Sequence, residues 1–251
     1  MHQFFVEKSQ VGKEYVTITG SDVNHIRNVL RMKIGETIRI SDREGGNYFC
    51  KIAETGENFV QADIVSVDEE GTELPSKIYL FQALPKGDRM ETVIEKAVEL
   101  GVYEIIPVAM KYCVVKLEGK KAAQRVQKWQ AQAETAAKQS KRSLIPKVSE
   151  PVSYKEAVAY AMKLDQKLVP YENERGMAAT REAVEAVRPG ESIGIFIGPE
   201  GGFAPEEIEA VKGEMKLISL GSRILRTETA GFTTLAILMY HIETSCPEKS
   251  N

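Results

Sequence analysis

Cysteine and histidine are scarce in this chain, and each scarcity excludes a class of chemistry. The three cysteines, Cys50, Cys113 and Cys246, are odd in number, far apart and free of any C-x-x-C pair. Neither a disulfide framework nor a zinc site is expected from them. The three histidines, His2, His25 and His241, are too scattered for a His-based metal cluster, so no metal is expected. No run approaches the roughly 20 apolar residues that span a bilayer. The opening MHQFFVEKSQ lacks the basic and then apolar layout of a secretion signal, so no membrane partner is expected and the expected address is the cytoplasm. Both common phosphate-cradling patterns, G-x-x-x-x-G-K-[ST] and G-x-G-x-x-G, are missing as well.

What is present is material for one good core or two modest domains: 251 residues, 43% of them hydrophobic and 27% charged. The net charge of -3 speaks against a nucleic-acid partner only as an average. Residues 111–147 hold ten Lys or Arg against Glu118 and Glu134, so that segment carries +8 and the remainder -11. A second basic cluster comprises Arg27, Arg31, Lys33 and Arg39. Such clusters suit an RNA surface and equally suit solvated helix faces.

Residues 1 to about 70 are short β-like runs, QFFVEK, YVTITG, TIRISD, NYFCKIAE and FVQADIVSV. DREGGN between Ser41 and Tyr48 reads as a hairpin tip. One helical segment, DVNHIRNVLRM, interrupts them and places Ile26, Val29 and Leu30 on one face. This is a small β-rich module, expected to be a barrel. The polar stretch DEEGTELPS, residues 68–76, has linker composition, and the boundary is placed there, giving domains 1–72 and 73–251.

Beyond it strands and helices alternate, the signature of an α/β domain with a largely parallel sheet. KIYLFQAL is a strand. GDRMETVIEKAVELG is a helix with Asp88 as N-cap, Glu91 three residues later and Gly101 as its stop. Residues 119–140 form a helix with Val126, Trp129, Ala133 and Ala136 inward. The last helix, from about residue 228 to 242, is apolar almost all round, which requires burial inside the domain or against another subunit.

Two loops carry the functional reading. IGIFIGPEGGFAPEEI runs from an apolar strand through GPEGG into a helix, and glycines there let backbone amides approach a ligand. Ligands sit beyond the carboxyl ends of strands in such sheets. Glu200 within this loop repels a phosphate. It suits a cationic ligand such as a sulfonium, and equally suits a turn cap or a basic partner. LISLGSRILRTETAGFTTLAIL repeats the plan of strand, glycine, loop and helix, with Thr227 able to cap the helix and Glu228 suiting its dipole.

IGPEGGF and LGSRILRTETA, with HIRNVLRMKIGE, KGDRMETVIEKAVELG and residues 132–146, resemble the bacterial 16S ribosomal RNA (uridine-N3) methyltransferase family of the SPOUT, or trefoil-knot, RNA methyltransferases. The resemblance covers nearly the whole chain. It implies an α/β fold: a small N-terminal PUA-like β-barrel that docks RNA, then a SPOUT domain whose C-terminal sheet is deeply knotted. It also implies S-adenosyl-L-methionine as cofactor, 16S rRNA or the small ribosomal subunit as partner, and a homodimer. Carried onto this chain, the cofactor slot comprises Pro170, Gly198, Pro199, Glu200, Gly201, Gly202, Leu220, Gly221, Ile224, Leu225, Arg226 and Thr229. For Ile224 and Leu225, core packing is the alternative role. RNA contacts fall to His25, Arg27, Arg31, Lys86, Arg89, Gln139 and Arg142.

Methylation of uracil N3 requires the N3 proton to leave and the charge on O2 and O4 to be stabilised. Arg226 suits the second task, because a guanidinium can donate to a carbonyl without losing its charge. Glu228 and Glu134 are the candidate proton acceptors. Glu228 is also explained as a helix-start residue, and Glu134 as an i,i+4 partner of Lys138. Two positions depart from the family. Gln3 stands where an arginine is usual, and Ala204 stands where Ser or Thr caps the next helix. Another RNA target, or a non-catalytic RNA-binding or ribosome-assembly role, remains the alternative.

Overall fold

Apolar and polar residues alternate through the first 67 residues, and that period of two builds a five-stranded sheet in the computed structural model, which describes residues 1–69 and 71–246. Glu70, within the expected linker, and residues 247–251, at the end of the expected second domain, lie outside the described residues. The chain forms two compact units, Met1–Glu73 with Ala137–Ile145, and Leu74–Ala136 with Pro146–Asn251. Residues 137–145, which a division at 72/73 places with the second unit, therefore cluster with the first.

In the first unit the strands are β1 (His2–Phe5), β2 (Tyr15–Thr19), β3 (Thr37–Ser41), β4 (Asn47–Thr55) and β5 (Phe59–Val67), in the order β1-β3-β4-β5-β2. β1 runs parallel to β3 and the other pairs are antiparallel. No ladder joins β1 to β2 among the described residues, so the barrel expected takes the form of a half-barrel. Its core is a cluster that includes Phe4, Ile18, Ile38, Ile40 and Ile52, all buried. Asp42 makes the β3–β4 turn: its carboxylate accepts the Glu44 and Gly46 amides at 3.0 and 2.7 Å and pairs with Lys8. α1 (Ser21–Asn24) runs into a wide turn over His25–Val29. That widening shifts the helix face, so Val23 and Ile26 are buried while Val29 is 60% exposed, against the expected grouping of Val29 with Ile26.

The second unit alternates β6 (Lys77–Ala83), α2 (Arg89–Glu99), β7 (Glu104–Ala109), α3 (Gly119–Gln139), β8 (Lys147–Val148), β9 (Val152–Ser153), α4 (Tyr154–Ala161), β10 (Gln166–Pro170), α5 (Ala178–Glu185), β11 (Ser192–Ile197), α6 (Pro205–Glu209), β12 (Lys216–Ile218) and α7 (Thr227–Thr244). The sheet is parallel, in the order β12-β10-β11-β6-β7-β8, with β9 also on β7. Central β6 and β11 are apolar on both faces apart from the buried Gln82 of β6 and the strand-start residues Lys77 and Ser192, because helices cover both. Phe81 and Phe196 stack between them at 4.4 Å.

Asp88 takes the N-cap position of α2, but its backbone lies at φ -97, ψ 16, outside the extended region from which a side chain caps, and it makes no cap bond. Glu91 instead binds Lys128 at 2.7 Å and Arg125 at 3.4 Å. α7 is buried along one face, by Thr227, Gly231, Thr234, Leu235, Leu238 and Ile242. Its other face keeps Tyr240 69% exposed, so the helix is half covered within one chain. No helix among the described residues is long and apolar enough to cross a membrane.

Candidate active site

β12, β10 and β11 lie side by side, and their carboxyl ends release three loops towards one place. These loops enclose a cavity of about 570 Å³, within the usual size range for small-molecule sites. Every residue assigned to the cofactor from sequence lines it, from Pro170 through Gly198, Pro199, Glu200, Gly201, Gly202, Leu220, Gly221, Ile224 and Leu225 to Arg226, except Thr229. Thr229 is exposed, because the helix turns it outward, and Thr227 and Ala230 line the wall in its place.

The GPEGG loop is a tight turn in which the Gly202 amide donates to the Pro199 carbonyl at 2.9 Å. Gly202 sits at φ +73 and lies against the Glu172 carboxylate, so a side chain there would be strained and obstructed. A Cβ on Gly198 would meet the Phe203 ring at 3.0 Å. α6 follows with Ala204 at its N-cap. Ala204 has no hydroxyl to accept an amide of the first turn, but Glu207 supplies the reciprocal contact: its carboxylate accepts the Ala204 amide at 2.8 Å and the Lys111 amide at 2.9 Å.

Glu200 binds Arg89 Nη1 at 2.7 Å and the Lys86 amide at 3.0 Å. Burial pushes its carboxyl up, but the Lys86 amide and the nearby Arg89 and Lys86 charges outweigh that and hold it below the usual carboxylate range. Of the three roles open to Glu200 in the sequence, the structure provides the basic partner. Ile224 is 89% exposed at the cavity wall, which rules out the core-packing role considered for it.

Thr227 was expected to cap α7, but it is the first helical residue and Arg226 holds the N-cap position. The Thr227 hydroxyl donates instead to the Gly198 carbonyl at 2.7 Å and accepts from Gln82 Nε2 at 2.9 Å. Arg226 lines the cavity. Glu228 and Glu134 are not among the lining residues, and Glu228 Oε2 is buried without a partner among the described residues.

The RNA candidates divide between the units. Lys86 and Arg89 follow β6, and Arg89 also lines the cavity. His25, Arg27, Arg31 and Gln139 are exposed in the first unit. Arg142, in that unit too, is 3% exposed and is gripped by Glu73 at 2.5 to 3.0 Å. An arginine sealed in this way cannot reach RNA, so its assignment is corrected to a structural one. Gln3 is likewise buried, with Nε2 bound to Ser41 and to the Arg142 carbonyl.

Sequence reasoning missed the loop after β10, where Tyr171, Glu172, Glu174 and Arg175 line the cavity. Its signal was the polar string YENERG directly after an apolar strand, a third instance of the strand-to-loop plan. Gln82 was missed too, although a polar residue in a strand buried on both faces is conspicuous. Among the described residues no group of three or more His, Cys, Asp or Glu is placed to hold a metal.

A family model described as an RNA methyltransferase domain matches residues 72–239, and one described as an RNA methyltransferase PUA domain matches residues 18–65. The chain is 34% identical over 250 residues to the ribosomal RNA small subunit methyltransferase E of Bacillus subtilis (strain 168), covering 97% of this chain and 98% of that one. The solved ribosomal RNA small subunit methyltransferase E from Neisseria gonorrhoeae, bound to S-adenosyl methionine, superposes with a TM-score of 0.82 at 30% identity, over 96% of this chain and 97% of that one. A methyltransferase from Legionella pneumophila in complex with the same cofactor gives 0.81 at 32% identity, over 95% and 96%. With its catalytic-domain match running through the whole cavity and its PUA match within the half-barrel, the chain belongs to the RNA methyltransferase family.

Proposed function

We propose that this protein transfers the methyl group of S-adenosylmethionine to N3 of a uridine in 16S ribosomal RNA of the small subunit, with the cofactor in the cavity beyond β10, β11 and β12. The observation that carries this reading is the convergence of three strand-end loops on one space of about 570 Å³, lined by eleven of the twelve positions singled out in the sequence. The donor set fits an adenosyl cofactor. Glycines bring backbone amides and carbonyls to the wall, and Ile224 offers an apolar face that none of the described residues covers. When bound, the cofactor supplies an electrophilic methyl group on a sulfonium.

The remaining work falls to the chain's own residues. Arg226, which lines the cavity at the extended N-cap position of α7, is assigned to donate to a uracil carbonyl as the N3 proton leaves and the methyl group arrives. Glu228 and Glu134 serve as proton acceptors only if the substrate or a second subunit brings the base to them, because neither lines the cavity of one chain. RNA backbone falls to Arg27, Arg31, Lys86 and Arg89. It falls also to Lys116, Lys120 and Lys121, which are exposed and have no ion-pair partner among the described residues. Lys120 and Lys121 stand in the first turn of α3, where positive charge opposes the helix dipole and an incoming phosphate relieves it.

The half-covered α7 supports a homodimer: Tyr240 is 69% exposed and Phe232, Ala236 and Met239 are only partly buried. The return of α7 from edge strand β12 onto β11 and β6 accords with a knotted C-terminal half. Incubation of the purified protein with small subunits, or with 16S rRNA, and labelled cofactor tests the assignment. N3-methyluridine in the nucleoside digest is the expected product. A different methylated nucleoside would overturn the substrate reading, and failure to bind S-adenosylhomocysteine at high micromolar concentration would overturn the cofactor reading.

A further inference from the structure

Gln82 is fully buried near the carboxyl end of β6, between Ile197 of β11 and Pro107 of β7. Its amide nitrogen faces two oxygens, the Ala83 carbonyl at 3.1 Å and Thr227 Oγ1 at 2.9 Å. The carbonyl of Ala83 can only accept, so the nitrogen of the amide and not its oxygen must point that way. Thr227 Oγ1 then receives a hydrogen from Gln82, and its own single hydrogen is directed to the Gly198 carbonyl at 2.7 Å. A one-way chain of donors thus runs from the central strand to the first residue of α7 and on to the glycine that opens the GPEGG loop.

This chain has a cost that packing alone does not explain. Gln82 Oε1 is buried with no partner among the described residues, and an unsatisfied buried acceptor is destabilising where an apolar side chain of similar volume is not. The same loop is held again two residues later, where Glu200 takes the Lys86 amide and Arg89 from the connection that follows β6. Both attachments originate on one side, the carboxyl end of β6 and its loop. Gly198 opens one of the three loops that wall the cavity, and Thr227, the first residue of α7, stands where another ends, so their hydrogen bond sets the spacing between those two walls.

We propose that Gln82 is a positioning residue for the cofactor: acting through Thr227 on the Gly198 carbonyl, it fixes the separation of the two glycine-bearing loops at the expense of fold stability. The inference rests on the assignment of the cavity to S-adenosylmethionine.

Gln82→Met tests it, since methionine fills similar space and removes both the donor and the unpaired oxygen. Affinity for S-adenosylhomocysteine, measured by calorimetry, is expected to fall about tenfold, while the melting temperature of the free protein stays equal or rises. In turnover, KM for the cofactor should rise more than kcat falls. Thr227→Val, which removes the hydrogen bond to Gly198 directly, should reproduce the loss, and Thr227→Ser should recover most of it. The Gln82→Met/Thr227→Val pair should be no worse than the weaker single variant, because both break one chain. Unchanged affinity in Gln82→Met, or a loss only in step with a lowered melting temperature, would overturn the inference while wild-type binding preserved the cavity assignment. Absence of binding by the wild-type protein would overturn that assignment and this inference with it.

Discussion

Arg142 and Glu73 form a bidentate pair in which the arginine is buried and the carboxylate partly so, with Arg142 Nε 2.9 and 3.0 Å from the two carboxylate oxygens and Nη2 at 2.5 Å. The Arg142 side chain is 4% exposed and that of Glu73 23%. Glu73 also accepts the Ser143 amide at 2.7 Å, so one carboxylate fastens residues 142 and 143 to the end of the N-terminal segment.

Arg142→Ala should therefore act on folding and not on RNA. Removing one partner of a buried pair leaves an uncompensated charge, and a loss of about 3 kcal/mol is expected, read as a lower urea midpoint. Arg27→Ala and Arg31→Ala, at exposed positions, should leave the midpoint in place. Each should instead weaken RNA binding and reduce its salt slope by about one. An Arg142→Ala protein of unchanged stability with reduced RNA affinity would reverse the two assignments.

Glu200 yields a prediction in pH. Its carboxyl is held below the ordinary value, so the tie to Arg89 and Lys86 is complete above the unfolded pKa, near about 4.3, and is lost as pH falls through the lower folded value. Glu200→Gln should weaken S-adenosylhomocysteine binding about fivefold. The ratio to wild type should stay constant from about pH 6 to 8 and shrink only in acid below about pH 4. A ratio that changes near neutrality would show that another group, not Glu200, controls the loop.

The same residues show what was legible in the sequence. The alternation of strands and helices after residue 77 was readable because each element has its own period, and GPEGG and LGSRIL were readable because glycine after an apolar strand has few other uses. A barrel is legible in the strand periodicity, but its open edge is not, because periodicity says nothing about which edges meet. Arg142 was assigned to RNA because a basic residue in a basic segment looks alike whether solvated or sealed. Its partner Glu73 lies 69 residues away, and no local pattern links them. Thr227 and Thr229 look alike in the string RTET, but two steps along a helix turn a side chain by about 200°, so only one of them can face the cavity. Glu200 was legible as a charge but not as a pair, since Arg89 reaches it only once β6 and β11 are adjacent.

Ile224 should separate binding from stability. Being 89% exposed, it contributes little to the fold, and Ile224→Ala should leave the melting temperature unchanged. If the adenine of the cofactor covers it, burial of the lost methylenes corresponds to about 1 to 2 kcal/mol, so cofactor affinity should fall roughly tenfold. Retained affinity would place the adenine elsewhere in the cavity.

Arg226 is the sharpest test of the chemistry. It lines the cavity at the N-cap of α7 without capping the helix through its side chain, so its removal should spare the fold. A donor that acts on charge developing in the transition state lowers kcat and kcat/KM together and leaves cofactor affinity nearly intact. Arg226→Ala should thus reduce kcat on the order of a hundredfold, with S-adenosylhomocysteine binding within about threefold of wild type. Arg226→Lys keeps the charge but loses the planar fork, and should recover only part of the rate. Full activity in Arg226→Ala would move charge stabilisation to another donor, and Arg223, which also lines the cavity, would be the next to substitute.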